Sequence, residues 1–148
     1  MEVHDPVSAI LTQKDRQIWT IAPDATVYEA LELMARKKIG ALIVLGADGT
    51  VGLFSERDYA RKVILKGRSS KEATVSEVMT SPAETIPPDT SVREAMSMMT
   101  ESRVRHLPVI SENRELLGMV SIGDLVKWII TSQEQVIEQL HSYIAGAS

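Results

Sequence analysis

The chain has 148 residues, 44% hydrophobic and 24% charged, the balance of one ordinary soluble domain or of two small units sharing a core. Sixteen basic against twenty acidic residues leave a net charge of −4, which excludes a general electrostatic field for nucleic acid or an anionic membrane. The absence of cysteine excludes disulfides, thiolate nucleophiles and cysteine-based zinc sites, and no apolar run approaches the ~20 residues that span a bilayer. Met1-Glu2-Val3-His4-Asp5-Pro6 lacks the apolar stretch of a signal peptide, so a soluble cytoplasmic protein is expected.

In chain order, Thr20-Ile21 precedes a proline two residues on and reads as a short extended piece. Thr26-x-x-Glu29 has capping-box spacing and starts a helix whose apolar face is Val27, Ala30, Leu31, Met34 and Ala35. Ile39 to Leu45 and Val51 to Phe54 flank Gly46-Ala47-Asp48-Gly49 and read as a hairpin. A second helix is lined by Tyr59, Ala60, Val63 and Ile64, with Gly67 at its end. The pattern then returns: Thr85-Ile86 is extended, Ser91-x-x-Glu94 caps a helix lined by Val92, Ala95, Met96 and Met99, and Val104 to Ile110 pairs with Leu116 to Val120. Pro108 removes a ladder donor there and predicts an edge position or a bulge. Leu125, Val126, Ile129 and Ile130 line the next helix.

These matches are an internal repeat, offset by 65 to 68 residues: Val7-Ser8-Ala9-Ile10-Leu11-Thr12 with Val75-Ser76-Glu77-Val78-Met79-Thr80, and Gly52-Leu53-Phe54-Ser55-Glu56-Arg57-Asp58 with Gly118-Met119-Val120-Ser121-Ile122-Gly123-Asp124. The predicted fold is α/β (α+β), two β-α-β-β-α repeats in one pseudo-two-fold module. The first repeat is placed at 7–66, a linker at 67–74 and the second repeat at 75–131. Residues 132–148 add an amphipathic helix and tail striped by Val136, Ile137, Leu140 and Ile144, which either packs on its own repeat or contacts a second copy.

The chemistry-bearing element is Gly-apolar-apolar-Ser-x-x-Asp, present twice at a strand-to-helix turn. Glycine lets the backbone turn or a ligand approach, a helix N-terminus suits phosphate, serine can donate to a phosphate oxygen, and aspartate can accept from both hydroxyls of a ribose. One copy of Ser-x-x-Asp is equally a helix cap. Two copies in register, each with its upstream Thr-Ile, favour a nucleotide site.

Together with Arg103-Val104-Arg105-His106-Leu107-Pro108-Val109, these motifs resemble the CBS family, named after cystathionine β-synthase, from about Val7 to Ile130. The match is to small stand-alone tandem pairs. The resemblance implies clefts that take AMP, ADP, ATP, NAD or S-adenosylmethionine. One site would use Thr20, Ala22, Ala41, Leu42, Ser55 and Asp58. The other would use Thr85, Pro87, His106, Leu107, Pro108, Ser121 and Asp124. The halves differ in their cations: Arg105 and His106 in the second, Arg57 in the first. Arg61, Lys62 and Lys127 read as solvated helix-face charges, and the Met96, Met98 and Met99 group as core filler.

No cysteine, Gly-x-Ser-x-Gly, Walker loop or His-Glu-x-x-His is present, and no catalytic or metal residues are assigned. The expected role is a regulatory sensor of adenine nucleotides, a homodimer acting on a regulated protein, with no nucleic acid or membrane partner. The alternative is a structural or protein-interaction module with vestigial sites.

Overall fold

The computed structural model describes residues 1–14 and 18–147, which divide into two compact units. One joins the N-terminal segment to the chain from Thr85 onward, and the other is Ile18–Glu84. Each mixes small sheets with helices, as the α/β prediction requires.

In the Ile18–Glu84 unit, β1 (Thr20–Ile21) runs parallel to β2 (Ala41–Leu45), which pairs antiparallel with β3 (Val51–Ser55). The turn between β2 and β3 is set by Gly49, at φ +86°, and by Asp48, which accepts the Thr50 N–H at 3.0 Å. Helix α2 (Val27–Lys37) starts where the Thr26 hydroxyl accepts the Glu29 N–H at 3.1 Å. It buries Val27, Ala30 and Met34 against Leu42, Val44 and Phe54. Helix α3 (Glu56–Tyr59) widens into a π-helical turn over Ala60–Ile64. The expected face of that helix is therefore corrected. Val63 is buried, but the wider turn swings Ile64 outward to 56% exposure. Helix α4 (Val75–Val78) closes the core with Val75 and Val78.

In the other unit, α1 (Val7–Gln13) packs with α5 (Val92–Ser102), β4 (His106–Ile110), β5 (Leu116–Ser121) and α6 (Ile122–Ala147). Strands β4 and β5 form an antiparallel pair with a register shift between Val109 and Ile110. Thr85-Ile86, expected to be extended like Thr20-Ile21, does not form a full strand. Ile86 makes a single parallel bridge to Val109, donating to the Pro108 carbonyl and accepting from the Ile110 N–H. Pro108 turns its carbonyl toward this segment, so its missing N–H is lost from the same edge, which shortens the ladder. The core is Val7, Ile10, Leu11, Val92, Ala95, Met99, Leu107, Val109, Val120, Leu125 and Trp128, with Ile86.

The compact units are offset from the sequence repeats. The Val7 N–H donates to the Thr90 carbonyl and the Val92 N–H to the Asp5 carbonyl. Likewise the Val27 N–H donates to Ala73 and the Val75 N–H to Ala25. Each repeat's opening helix thus packs in the unit built from the other repeat's strands. The C-terminal reading also needs correction: α6 is one helix from Ile122 to Ala147, not two. Its only glycines are Gly123 and Gly146, near the ends, and it holds no proline to break it. Leu125 and Trp128 face the core, whereas Val126 and Ile130 are 41% and 51% exposed.

Candidate functional site

Both Ser-x-x-Asp motifs sit where a hairpin strand passes into a helix, and both are formed as caps. In the Ile18–Glu84 unit the Ser55 N–H donates to Asp58 Oδ2 at 2.9 Å, and the Asp58 N–H donates to Ser55 Oγ at 3.3 Å. In the other unit the Ser121 N–H donates to Asp124 Oδ2 at 2.8 Å, and the Asp124 N–H donates to Ser121 Oγ at 3.2 Å. The next helical N–H is also used: Glu56 donates to the Gly40 carbonyl and Ile122 to the Arg105 carbonyl. The helix ends therefore offer fewer free donors to a phosphate than the motif alone suggests.

The motif glycines serve packing. A Cβ on Gly118 would lie 2.9 Å from a Leu11 methyl, and one on Gly52 would lie 2.8 Å from Met79 Sδ and 3.2 Å from the Thr80 carbonyl. Close approach is needed, but by α1 and by the segment after α4 rather than by a ligand.

Each motif aspartate carries a lysine that the sequence reading did not assign. Lys14, the C-cap residue of α1, donates from Nζ to Asp124 Oδ2 at 2.7 Å and to the Met119 carbonyl at 3.1 Å. Lys62 Nζ lies 3.1 Å from Asp58 Oδ1 and donates to the Val78 carbonyl at 3.0 Å. Lys62 is thus engaged rather than merely solvated. Its i,i+4 spacing from Asp58 was a usable signal. Lys14 had none, because its place depends on α1 crossing to the other repeat's strands.

The remaining bonds separate the two sites. Asp58 has both oxygens occupied: Oδ1 faces Lys62 and the Thr80 hydroxyl at 3.4 Å, and Oδ2 takes the Ser55 N–H and the Ser55 hydroxyl at 3.1 Å. Asp124 Oδ1 takes no hydrogen bond among the described residues, and the Ser121 hydroxyl donates to none. The Asp58 side chain is 10% exposed and the Asp124 side chain 21%.

Around Asp124 the side chains named from sequence converge in part. His106 lies level with Ser121 across the β4–β5 pair, and Arg105, exposed, precedes it. Burial pushes His106 below its ordinary pKa of 6.5; Asp124 opposes that shift, and Lys14 and Arg105 add to it. Thr85 is half-buried beside the Ile86 bridge, and Pro87 is exposed. Pro108 is buried on the strand face opposite Leu107. In the other unit Thr20 is level with Ile43, Ala41 with Ser55, and Ala22 and Arg57 are exposed. Leu42 and Leu107 are fully buried in the cores of their units. With their side chains in those cores, the backbone is the part of each that a ligand could meet. Strand alternation explains the difference: each apolar run buries both faces, and the sequence does not say which face is core.

Two matches to the family model described as CBS domain cover residues 7–65 and 75–131. The chain belongs to the CBS domain family. CBS domain-containing protein CBSX3, mitochondrial, of Arabidopsis thaliana is 40% identical over 134 residues, covering 87% of this chain. The match spans 64% of that relative, a little under two thirds of its length. Among solved structures, a putative signal-transduction protein with CBS domains from Burkholderia ambifaria MC40-6 is 46% identical, with a TM-score of 0.81, covering 86% of this chain and 96% of that one. CBS domain protein PAE2072 from Pyrobaculum aerophilum, complexed with AMP, shares the fold at a TM-score of 0.72 and 24% identity, covering 80% of this chain and 88% of that one. Among the described residues no helix is long and apolar enough to cross a membrane, and no cluster of His, Asp or Glu is placed to hold a metal ion.

Proposed function

We propose that this CBS pair is a regulatory sensor that binds an adenine nucleotide, with AMP the first candidate, at the site built on Ser121 and Asp124. One observation carries the reading: at this motif a carboxylate oxygen and a hydroxyl proton are unengaged among the described residues, beside Lys14, His106 and Arg105. Asp124 Oδ1 is available to the ribose hydroxyls, which a carboxylate accepts more strongly than a neutral group does. The Ser121 hydroxyl and the third Nζ donor of Lys14 are available to phosphate. The AMP complex of the Pyrobaculum protein supports AMP as the first ligand to try.

The second reading, that the motif is only a helix cap, is favoured at Ser55 and Asp58, where the bonding capacity is used internally. We assign that half a structural role and expect one nucleotide per chain. Regulation follows from position. Helix α6 begins at Ile122, inside the motif, so a ligand held by Ser121 and Asp124 acts on the root of a helix that runs to Ala147. We further propose a cytoplasmic homodimer acting on a separate regulated protein, with no catalysis of its own.

Calorimetry and thermal shift with AMP, ADP, ATP, NAD, NADH and S-adenosylmethionine test the assignment. A ligand at 100 times its dissociation constant stabilises by about 2.7 kcal/mol. A flat response to all six would leave the cap reading for both motifs.

A further inference from the structure

Among the described residues the second half of α6 is left exposed, touched by the Met1 amino group, which donates to Gln135 Oε1 at 3.2 Å. Every residue from Gln133 to Gly146 is exposed, including Val136 at 53%, Ile137 at 56%, Leu140 at 56%, Tyr143 at 76% and Ile144 at 67%. An isolated helix shorter than ~12–15 residues is marginal in water, so a segment of this kind calls for packing. This stretch lies beyond residue 131, where the family match ends.

The exposed residues of one face, apolar except for Gln133, keep a 4-3 alternation. Val126, Ile130, Gln133, Ile137, Leu140 and Ile144 step by four, three, four, three and four, which is the d-a-d-a-d-a order of a heptad seam. Ile122, Val136 and Tyr143, all exposed, fall at the g positions and widen the stripe toward the three-sevenths face of a helical bundle, while Ile129, also at g, packs partly on the chain's own core. Leu125, Trp128 and Ser132, which anchor the helix to its own core, lie off the a, d and g positions and leave the a and d seam free. From Val126 to Ile144 the seam is about 27 Å long at 1.5 Å per residue.

We propose that this stripe pairs with the same stripe of a second copy of the chain. A 3.5-residue repeat is the periodicity that lets like helices interlock along a shared seam, and an isologous contact needs one self-complementary patch. The charges fit a copy. The e positions hold Lys127, Glu134 and His141, and the g positions hold no charge. In a parallel pair e faces g, so no like charges meet. In an antiparallel pair with Ile130 level with Gln133, Lys127 of one copy faces Glu134 of the other. A lipid surface fits worse, since the residues from Gln133 to Ala147 carry Glu134 and Glu138 and no lysine or arginine. Gln133 is the one polar residue in the seam and weakens the pairing in exchange for register.

The test is the mass of the full chain by light scattering and sedimentation, from 1 to 200 µM. Ile137 and Leu140 are exposed, so I137E/L140E leaves the cores intact, and an unchanged melting curve checks this. The expected result is that the mass of the double variant falls to half that of the parent at matched concentration. Q133L, which fills the seam, should lower the dissociation constant at least tenfold. A parent that is monomeric at 200 µM overturns the proposal, as does a double variant with the parent's mass. So does a monomeric parent that floats with phosphatidylcholine vesicles, which would make the stripe a lipid contact.

Discussion

Asp58 and Asp124 occupy the same place in the same motif, yet one is closed and the other open. Both close a helix cap, and both meet a lysine that also donates to a backbone carbonyl. The difference lies in the neighbours. Thr80 and the Ser55 hydroxyl complete the shell of Asp58, whereas Asp124 keeps Oδ1 free of any bond from the described residues. A repeated motif therefore does not imply repeated bonding around it. What the surrounding donors leave unsatisfied decides whether a cap can also recognise a ligand.

The largest expected effect tests this directly. Asp124→Asn should lower AMP affinity by more than about tenfold, or roughly 1.4 kcal/mol, because the amide is a weaker acceptor for the ribose hydroxyls. Asp58→Asn should change it less than about threefold, and calorimetry on the parent should return one AMP per chain. Two equivalent sites, or equal losses in the two variants, would break the comparison.

The two lysines give the next effect. Lys14→Met removes a charge from the open site and the hydrogen bond that orients Asp124, so AMP should bind about five- to tenfold more weakly. Lys62→Met should leave affinity unchanged, since its carboxylate is not offered to ligand. Equal sensitivity to both would mean that the cations act through net charge alone.

Much of the fold was legible in the sequence. Capping boxes, period-3.6 stripes and the doubled hairpin located helices α2 and α5 and strands β2 to β5. Three features were not. The exchange of α1 and α4 between the repeats is a tertiary choice, because Val7 and Val75 head segments with the same pattern of apolar positions and either strand set could accept either helix. Lys14 was invisible for that reason. The complete burial of Leu42 and Leu107 was the third, because apolar runs buried on both faces carry no alternation to mark the core side. The motif aspartates and His106 were legible because their spacing is local.

A pH series should give a smaller change, of a few-fold. His106 sits below its ordinary 6.5 because it is buried, with Lys14 and Arg105 adding to the shift and Asp124 opposing it. The unliganded fold thus favours neutral imidazole. Its contribution to stability is complete above the unfolded value and is lost as pH falls from about 6.5 through the lower folded value. A bound phosphate reverses the preference by favouring the imidazolium. AMP affinity should therefore rise from pH 7.5 to 6.5, with proton uptake visible as a dependence of binding heat on buffer. His106→Gln should remove both effects. A parent whose affinity is flat with pH would place the phosphate away from His106.

The last effect runs in the opposite direction and separates stability from binding. Asp58 is more buried than Asp124 and accepts at four contacts, from the Ser55 N–H, the Ser55 hydroxyl, Lys62 and Thr80. Asp124 accepts from the Ser121 N–H and Lys14. Both lysines are well exposed, at 43% and 41%, so solvent screens the two ion pairs alike and their difference contributes little. The extra cost at Asp58 comes from the short-range bonds within its shell. An amide at position 58 presents NH₂ where one oxygen stood, facing either the Ser55 N–H or Lys62, and leaves a donor opposed to a donor. In unliganded protein Asp58→Asn should cost about 1–2 kcal/mol and Asp124→Asn about half of that. The gap is a few degrees in melting temperature for a chain of this size. Melting curves without nucleotide read it directly. If Asp124→Asn melts first, the open carboxylate carries more of the fold than its bonds account for, and the division into a structural and a recognising aspartate fails.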